Sequence, residues 1–459
     1  MDDINSALEK IVTLNGNLTK LDKDVVRHNS NFGEFHYNIT ESVPNPVTSR
    51  VLTRDIIKLR TRVRMYQKNE REKNSRKTTY QGLFLSNIYR SLSAQEAFID
   101  YFFNPQSEQS IRGFLHHYFE QPYSVVEKKV RNKKFYEEDN RKQKLSKFFS
   151  DYEFSSSEKE TLKISECMLP EIKKFLLSFA KTQGLIDKDV DFDIVIEKED
   201  KSSSWHEGVL SLDIGSFRYT RNNGKIELHL AKALRDSTHE FIGHGLHQMN
   251  SKMLSESIIP CATNSYGLIF KVLEEGISDY WESKVLNYLR RSKNKIEISV
   301  CESAPLILKT SSRVVSGNDH RYIKIGREDL EYVGLEYKLG PFWNCLDFIE
   351  HTNEMEKPLS EQRQKTARQT RNFCLVRDIW HSRNGKYSST LFDYMPVVFG
   401  GPYTRKTISR VRSEYGIPLK FAEKVSMIGA WSTKVHYLFV ELLLDALGYK
   451  KKKVTKKSQ

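Results

Sequence analysis

Cysteine and long apolar runs are both scarce in this sequence, and each scarcity excludes a class of protein. The 459 residues contain five cysteines, and none of them forms a C-x-x-C pair. This pattern argues against a disulfide framework and against a cysteine-based metal site. No run approaches the length of about 18 apolar residues that a membrane helix needs, and the first residues lack a basic and then apolar signal. We therefore expect a cytoplasmic protein without a membrane span.

Positive charge is in excess. The 73 lysines and arginines outnumber the 59 acidic residues, which gives a formal net charge of +14. Such an excess attracts acidic partners over long range but does not define a fold. In the basic segment 50–77, apolar residues recur at helical spacing, which favours a packed helix with a solvated basic face over a dedicated binding surface. The recurring residues are Val51, Leu52, Ile56, Leu59 and Val63.

The order of the predicted elements indicates an α+β fold that is mostly helical. A helix predicted over 157–184 begins with serine and glutamate at capping spacing and ends on Gly184. Strand-like runs follow at residues 191–198, 208–220 and 224–230. The Asn-Gly within residues 221–224 predicts a hairpin between the last two runs. The sequence therefore places a small β-sheet before the next helix.

That next helix carries the run His239-Glu240-Phe241-Ile242-Gly243-His244. Zinc-binding helices of peptidases usually place two histidines four residues apart on one face. Here the spacing is five, and residues five apart on a regular α-helix diverge by about 140°. A π-bulge absorbs one residue and brings the two histidines back into phase, and the backbone freedom of Gly243 and Gly245 lowers the cost of such a distortion. We therefore predict a π-bulge that turns His239 and His244 toward one metal ion.

A catalytic zinc site also needs a third ligand and a base. Glu240 follows the first histidine, so it would reach the water on the ion more readily than the ion itself. A helix predicted over 270–289 supplies carboxylates, and Glu275 and Asp279 lie four residues apart on one face of it. One of the two would bind the ion while the other accepts the ring N–H of a ligand histidine.

Together these two segments resemble the H-E-x-x-x-H metallopeptidases, which include the microtubule-associated tyrosine carboxypeptidases and the bacterial QEGLA-motif proteins. The resemblance rests on "HEFIGH" and on "LEEGISDY", which begins about thirty residues later. It implies a gluzincin-like core that binds Zn²⁺ through His239, His244 and Glu275, with Glu240 as catalytic base. The segment "EGISD" is also similar to the Glu-x-x-Ser-Asp segment of thermolysin-like gluzincins, which implies that Asp279 supports a ligand histidine.

The resemblance implies a substrate class as well. It suggests release of a C-terminal residue, such as tyrosine, from a protein tail, and the basic segments 50–77 and 128–147 would attract an acidic, tubulin-like tail. Residues 372–401 are similar to a later family segment, which implies that Arg377 binds the substrate carboxylate and Tyr394 supports the transition state. Gly243 stands where the family commonly has threonine, and "EEGIS" replaces "QEGLA". Both differences bear on substrate preference.

We expect the chain to have four parts. A basic helical region spans 1–155, and a zincin core with the sheet and the metal helices spans 156–300. A mainly helical part over 301–449 completes the substrate cleft, and a disordered Lys-rich tail covers 450–459.

Alternatives stay open on the sequence alone. His247 could replace His239 in a different triad with Glu240, although no base would then stand beside the ion. Asp279 could be a surface acid paired with a cation of its own helix. The whole chain could be an inactive, peptidase-like basic scaffold, a nucleic-acid-binding protein, or a metal hydrolase that acts on a non-peptide bond, since an activated water does not choose its substrate.

Overall fold

The fold is seen in a computed structural model of the chain, which describes most but not all of the 459 residues. The described residues are 2–12, 14–38, 46–74, 77–103, 107–132, 134, 137–138, 140–141, 158–188, 190–197, 203–213, 218–220, 226–228, 230–250, 270–291, 313–316, 321–325, 327–355, 395–429 and 431–452.

Helices form the first third of the described chain. They are α1 (Asp2–Ile11), α2 (Gly16–Asn38), α3 (Pro46–Lys73), α4 (Tyr80–Phe103), α5 (Glu108–Tyr118) and α6 (Tyr123–Val130). The predicted apolar stripe of the basic segment is confirmed on α3, where Leu52, Ile56, Leu59 and Val63 are buried. Val51, also assigned to that stripe, is exposed, so the packed face is narrower than the sequence pattern indicates.

Helix α7 (Glu158–Gln183) ends at the predicted glycine and leads to the sheet. Gly184 has a φ of 74°, and the Leu185 amide donates to the Ala180 carbonyl at 2.9 Å, the pattern of a Schellman cap. Only glycine adopts such a φ at little cost, which explains why Gly184 marks the end of the helix.

The sheet before the metal helix is small and mixed. Strands β1 (Asp193–Glu197) and β3 (Val209–Asp213) pair in parallel, and β2 (Ser204–His206) pairs antiparallel with β3, in the order β1-β3-β2. The sequence did not predict β2, which is three residues long and joined to β3 by a two-residue turn. Both turn residues, Glu207 and Gly208, have positive φ, as a type I′ hairpin requires.

A separate hairpin follows this sheet. Strands β4 (Arg218–Thr220) and β5 (Ile226–Leu228) pair antiparallel, which confirms the hairpin predicted from the Asn-Gly. Helix α8 (Leu230–Thr238) begins two residues after β5 and continues directly into a π-helix, His239–Leu246. The predicted α+β class, mostly helical with a small mixed sheet, is confirmed.

The next long helix, α9 (Lys271–Arg291), is buried on nearly every face. On one side Ser278 lies against Gly243 of the π-helix, and a Cβ at Gly243 would overlap it. On another side Gly276 lies against the backbone of Gly400 in α11 (Met395–Tyr415), again with no room for a Cβ. Helices can approach this closely only where both surfaces are small. The glycines therefore fix where α9 sits relative to its two neighbours.

Five further elements complete the described part of the chain. They are β6 (Arg313–Ser316), β7 (Arg321–Lys324), α10 (Arg327–Met355), α12 (Leu419–Ser426) and α13 (Thr433–Ala446). One connected cluster of buried apolar side chains runs from Ile4 to Leu444.

The first residues of the predicted disordered tail contact the rest of the chain. The Lys452 amide donates to the Glu414 carbonyl at 2.7 Å, and Lys451 pairs with Glu414 at 3.2 Å. Among the described helices, none combines the length and the apolar character needed to cross a bilayer.

The packing at Gly276 leads to a stability prediction. Glycine to alanine inside a helix normally stabilises it by roughly 1 kcal/mol. Gly276→Ala should instead destabilise the protein by about 1–3 kcal/mol, because the new methyl group meets the fixed backbone of Gly400. Gly113→Ala in α5 is the matched control, since nothing lies within 4 Å of the Cβ position there. Urea unfolding of both variants without added metal tests this, and equal midpoints for the two would contradict the close approach.

Candidate metal centre

The π-helix brings the two predicted ligand histidines together. It spans His239–Leu246, which confirms the predicted distortion. The Nε2 atoms of His239 and His244 lie 3.1 Å apart, although the residues are five apart in sequence. Both side chains are mostly buried. The widened turn therefore points two imidazole nitrogens at one location.

The glycines beside His244 act differently from the prediction. We expected them to provide backbone freedom, but neither Gly243 nor Gly245 is among the residues with positive φ. What they provide is space: Gly243 lies against Ser278, and a Cβ at Gly245 would come within 2.9 Å of the Trp205 ring. The widened turn is thus held between α9 on one side and β2 on the other.

Glu275 completes a possible ligand set. Its Oε2 lies 3.4 Å from His239 Nε2, and its Oε1 lies 3.8 Å from His244 Nε2. One ligand atom from each of the three residues falls within a 4.8 Å span. Zinc–nitrogen and zinc–oxygen bonds of about 2.0–2.2 Å put tetrahedral ligand atoms roughly 3.3 Å apart. The observed spacings bracket that value, so the residues present fit a tetrahedral metal ion.

Each ligand histidine has a carboxylate on its other ring nitrogen. Nδ1 of His239 pairs with Glu282, and Nδ1 of His244 lies 3.2 Å from Glu274 Oε1. Such partners fix the tautomer, so that Nε2 keeps its lone pair for the ion. Burial raises the pKa of Glu274, but the hydrogen bond and charge of His244 outweigh it, and the net pKa lies well below the ordinary value.

The predicted role of Asp279 is wrong. Its carboxylate accepts a hydrogen bond from Arg405 Nη1 at 2.7 Å, and the acid on His239 is Glu282. Seven residues make two helical turns within about 20°, so Glu282 lies nearly above Glu275, whereas Asp279 is displaced by about 40°. The seven-residue spacing was visible in the sequence and could have indicated this role. Burial raises the pKa of Asp279 to about 6 despite Arg405.

Glu240 lies beside the two histidines. Its Oε1 lies 3.9 Å from His239 Nε2, and its side chain is mostly buried. Burial raises the pKa of Glu240 to about 7, while the neighbouring histidines act in the opposite direction. A carboxylate with a pKa near neutrality can both accept and return a proton at physiological pH. The role of Glu240 as a base stays a prediction.

His247 is held away from this centre. Its Nε2 lies 3.1 Å from the Gly429 carbonyl, and burial lowers its pKa. The alternative triad that replaced His239 by His247 is therefore not formed. The predicted substrate residues Arg377 and Tyr394 lie outside the described residues. His239, Glu240, His244 and Glu275 are the sequence-predicted site residues that the structure brings together.

Comparisons with known proteins add little to this geometry. No family model matches the chain, and no curated protein matches it. Among solved structures the chain is similar to a protein from Shewanella oneidensis, described as a "putative lipoprotein of unknown function". The two share 12% identity over 88% of this chain and 76% of the other, with a TM-score of 0.40. So distant a likeness carries no argument, and the function has to be argued from the site itself.

The ligand set leads to a test of metal binding. His239→Ala, His244→Ala and Glu275→Gln should each abolish stoichiometric zinc binding, because each removes one of three converging ligands. His247→Gln should keep it, since His247 points to Gly429. Elemental analysis after dialysis measures the zinc per chain. One equivalent retained by His244→Ala would contradict the assignment.

The corrected partner of His239 leads to a second test. Glu282→Gln should weaken zinc binding by about 10-fold or more, because the acceptor that orients the His239 ring loses its charge. Asp279→Asn should leave the zinc affinity near the wild-type value, since Asp279 contacts Arg405 instead. Competition with a chromogenic chelator measures both affinities. The reverse order of effects would restore the sequence-based assignment of Asp279.

Proposed function

We propose that this protein is a zinc-dependent peptidase of gluzincin type. The observation that carries the proposal is the convergence of His239, His244 and Glu275 with the buried Glu240 beside them. Three ligands with one carboxylate leave a fourth position for water, the arrangement of catalytic rather than structural zinc. The resemblance of "HEFIGH" and "LEEGISDY" to the H-E-x-x-x-H peptidases supports the same assignment.

The chemistry divides between the ion and the chain. A bound zinc ion would polarise the scissile carbonyl and make its water acidic. Glu240 accepts the proton of that water and passes it to the departing amine. An ionised carboxylate can accept that proton, and its protonated form can return it. General acid–base help of this kind contributes about 10²–10⁴ in rate.

The substrate class rests on the resemblance and on charge. We propose that a C-terminal residue is released from an acidic protein tail, with Arg377 for the terminal carboxylate and Tyr394 for the transition state. The net charge of +14 and the outward cations of α3 would attract such a tail. Strand β5 is followed almost at once by α8, and α8 leads to His239. A substrate backbone that pairs with β5 would therefore be bound close to this part of the chain. A cytoplasmic location fits the cysteine pattern.

The competing proposal is an inactive, peptidase-like scaffold, and one substitution distinguishes it from a peptidase. Glu240→Gln should reduce peptide hydrolysis by at least about 100-fold, because the isosteric amide cannot accept the proton. It should keep one zinc per chain, since Glu240 is not a ligand. Glu9→Gln, on an exposed position of α1, is the matched control and should keep full activity. Mass spectrometry of a peptide library with varied C-termini measures turnover and specificity together.

The outcomes are distinct. Loss of turnover with retained zinc supports a peptidase with Glu240 as its base. Wild-type protein that binds zinc but cleaves no peptide would contradict the proposal and favour the scaffold. Internal cleavage in place of C-terminal release would keep the peptidase and overturn the carboxypeptidase assignment.

A further inference from the structure

Arg235 lies one helical turn before His239, and its side chain is only 12% exposed. Three carboxylates surround the guanidinium. Its Nη2 lies 2.6 Å from Asp236 Oδ1, and its Nη1 donates to Glu336 Oε2 at 3.0 Å. Its Nε donates to Asp236 Oδ1 at 2.7 Å and lies 3.8 Å from Glu282 Oε2, an ion-pair distance. A cation this well buried is rarely a solvated surface charge.

Glu282 connects this cation to the metal centre. One carboxylate oxygen, Oε1, pairs with Nδ1 of the ligand His239, and the other, Oε2, faces Arg235. Burial opposes the charge on Arg235, but the three carboxylates outweigh it and raise the pKa of the guanidinium. The cation is therefore permanent. It attracts Oε2 of Glu282, while Oε1 pairs with Nδ1 of His239.

Within the described part of the chain, the partner of the other histidine has different contacts. Glu274, the partner of His244, accepts from the neutral amide of Gln248 at 3.5 Å, and the cation Lys271 acts on it electrostatically. The guanidinium of Arg235 is thus particular to the His239 side. On the His239 side the support reaches a second helix, because Glu336 belongs to α10.

We propose that Arg235 is a positioning residue of the metal centre, which holds Glu282 so that His239 keeps Nε2 directed at the ion. This inference rests on the proposed function only for the presence of the metal. Glu336 in turn anchors the guanidinium, so α10, from the part of the chain after the zincin core, helps to set the geometry of a zinc ligand. Neither "HEFIGH" nor "LEEGISDY" contains Arg235 or Glu336.

A merely structural role for Arg235 makes a different prediction. If Arg235 only tied α8 to α10, then Glu336→Gln would reproduce the effect of Arg235→Gln, and the effect would not depend on Glu282. If Arg235 acts through Glu282, the effect should disappear once Glu282 has lost its charge. A double-mutant cycle between the two residues separates these cases.

The experiment measures the zinc dissociation constant of the full chain by chelator competition. Arg235→Gln should weaken zinc binding by about 10–100-fold, the usual effect of losing an outer-shell partner. In the Glu282→Gln background the same substitution should cause no further loss. Arg235→Lys should recover part of the affinity, because it restores the charge without the planar fork. Glu336→Gln should have a smaller effect than Arg235→Gln.

Circular dichroism shows whether each variant folds. If Arg235→Gln does not fold, the test uses Arg235→Lys in its place. Wild-type zinc affinity in Arg235→Gln would overturn the proposal, and so would an undiminished loss in the Glu282→Gln background. Both outcomes are measured as zinc affinity and not as peptide hydrolysis. A chain that binds zinc with the predicted coupling but cleaves no peptide would therefore refute the peptidase and leave the role of Arg235 intact. A wild-type chain that binds no zinc would overturn the metal centre itself.

Discussion

The site depends on one turn of helix that is wider than normal. Histidines five residues apart share a target only if the backbone follows a π-helical path between them, and His239–Leu246 does so. Such a turn, with i→i+5 hydrogen bonds, is rare in proteins. Here it is enclosed, because Gly243 contacts Ser278, Gly245 contacts Trp205, and Phe241 stacks on Phe192 at a centroid distance of 4.3 Å. An unusual backbone conformation of this kind persists because the surrounding packing holds it in place.

Three carboxylates of the centre come from a single helix, which makes the placement of α9 as important as the widened turn. Glu274, Glu275 and Glu282 extend over two turns of that helix and meet two imidazoles. They reach both rings only if α9 approaches the π-helix closely. Ser278 opposite Gly243 permits that approach, and Gly276 opposite Gly400 sets the position of α9 from another side. Small residues next to the candidate ligands in sequence, Gly243 and Gly276, therefore help to set the ligand distances.

The sequence predicted the ligands better than their surroundings. The two histidines, the π-bulge and the place of Glu240 followed from spacing, because spacing along a helix determines direction, whereas the choice of Glu275 over Asp279 came from the resemblance. Asp279 was wrongly paired with a ligand histidine because spacing does not tell which neighbouring helix will offer a cation, and here α11 offers Arg405. Strand β2 was missed because three residues are too few for a periodic signal. The contribution of Arg235 depends on α10, about a hundred residues later in the chain, which no local pattern reveals.

The electrostatics of the cluster explain why it suits a divalent cation. Six carboxylates, from Asp236, Glu240, Glu274, Glu275, Glu282 and Glu336, gather near two imidazoles and one guanidinium. Uncompensated buried charges cost several kcal/mol each, so the excess negative charge needs further positive charge nearby. Protons can supply it: burial opposes protonation of His239 and His244, yet the carboxylates outweigh it and raise both pKa values. A metal ion supplies the same charge and needs both rings neutral, so proton and metal compete for the same nitrogens.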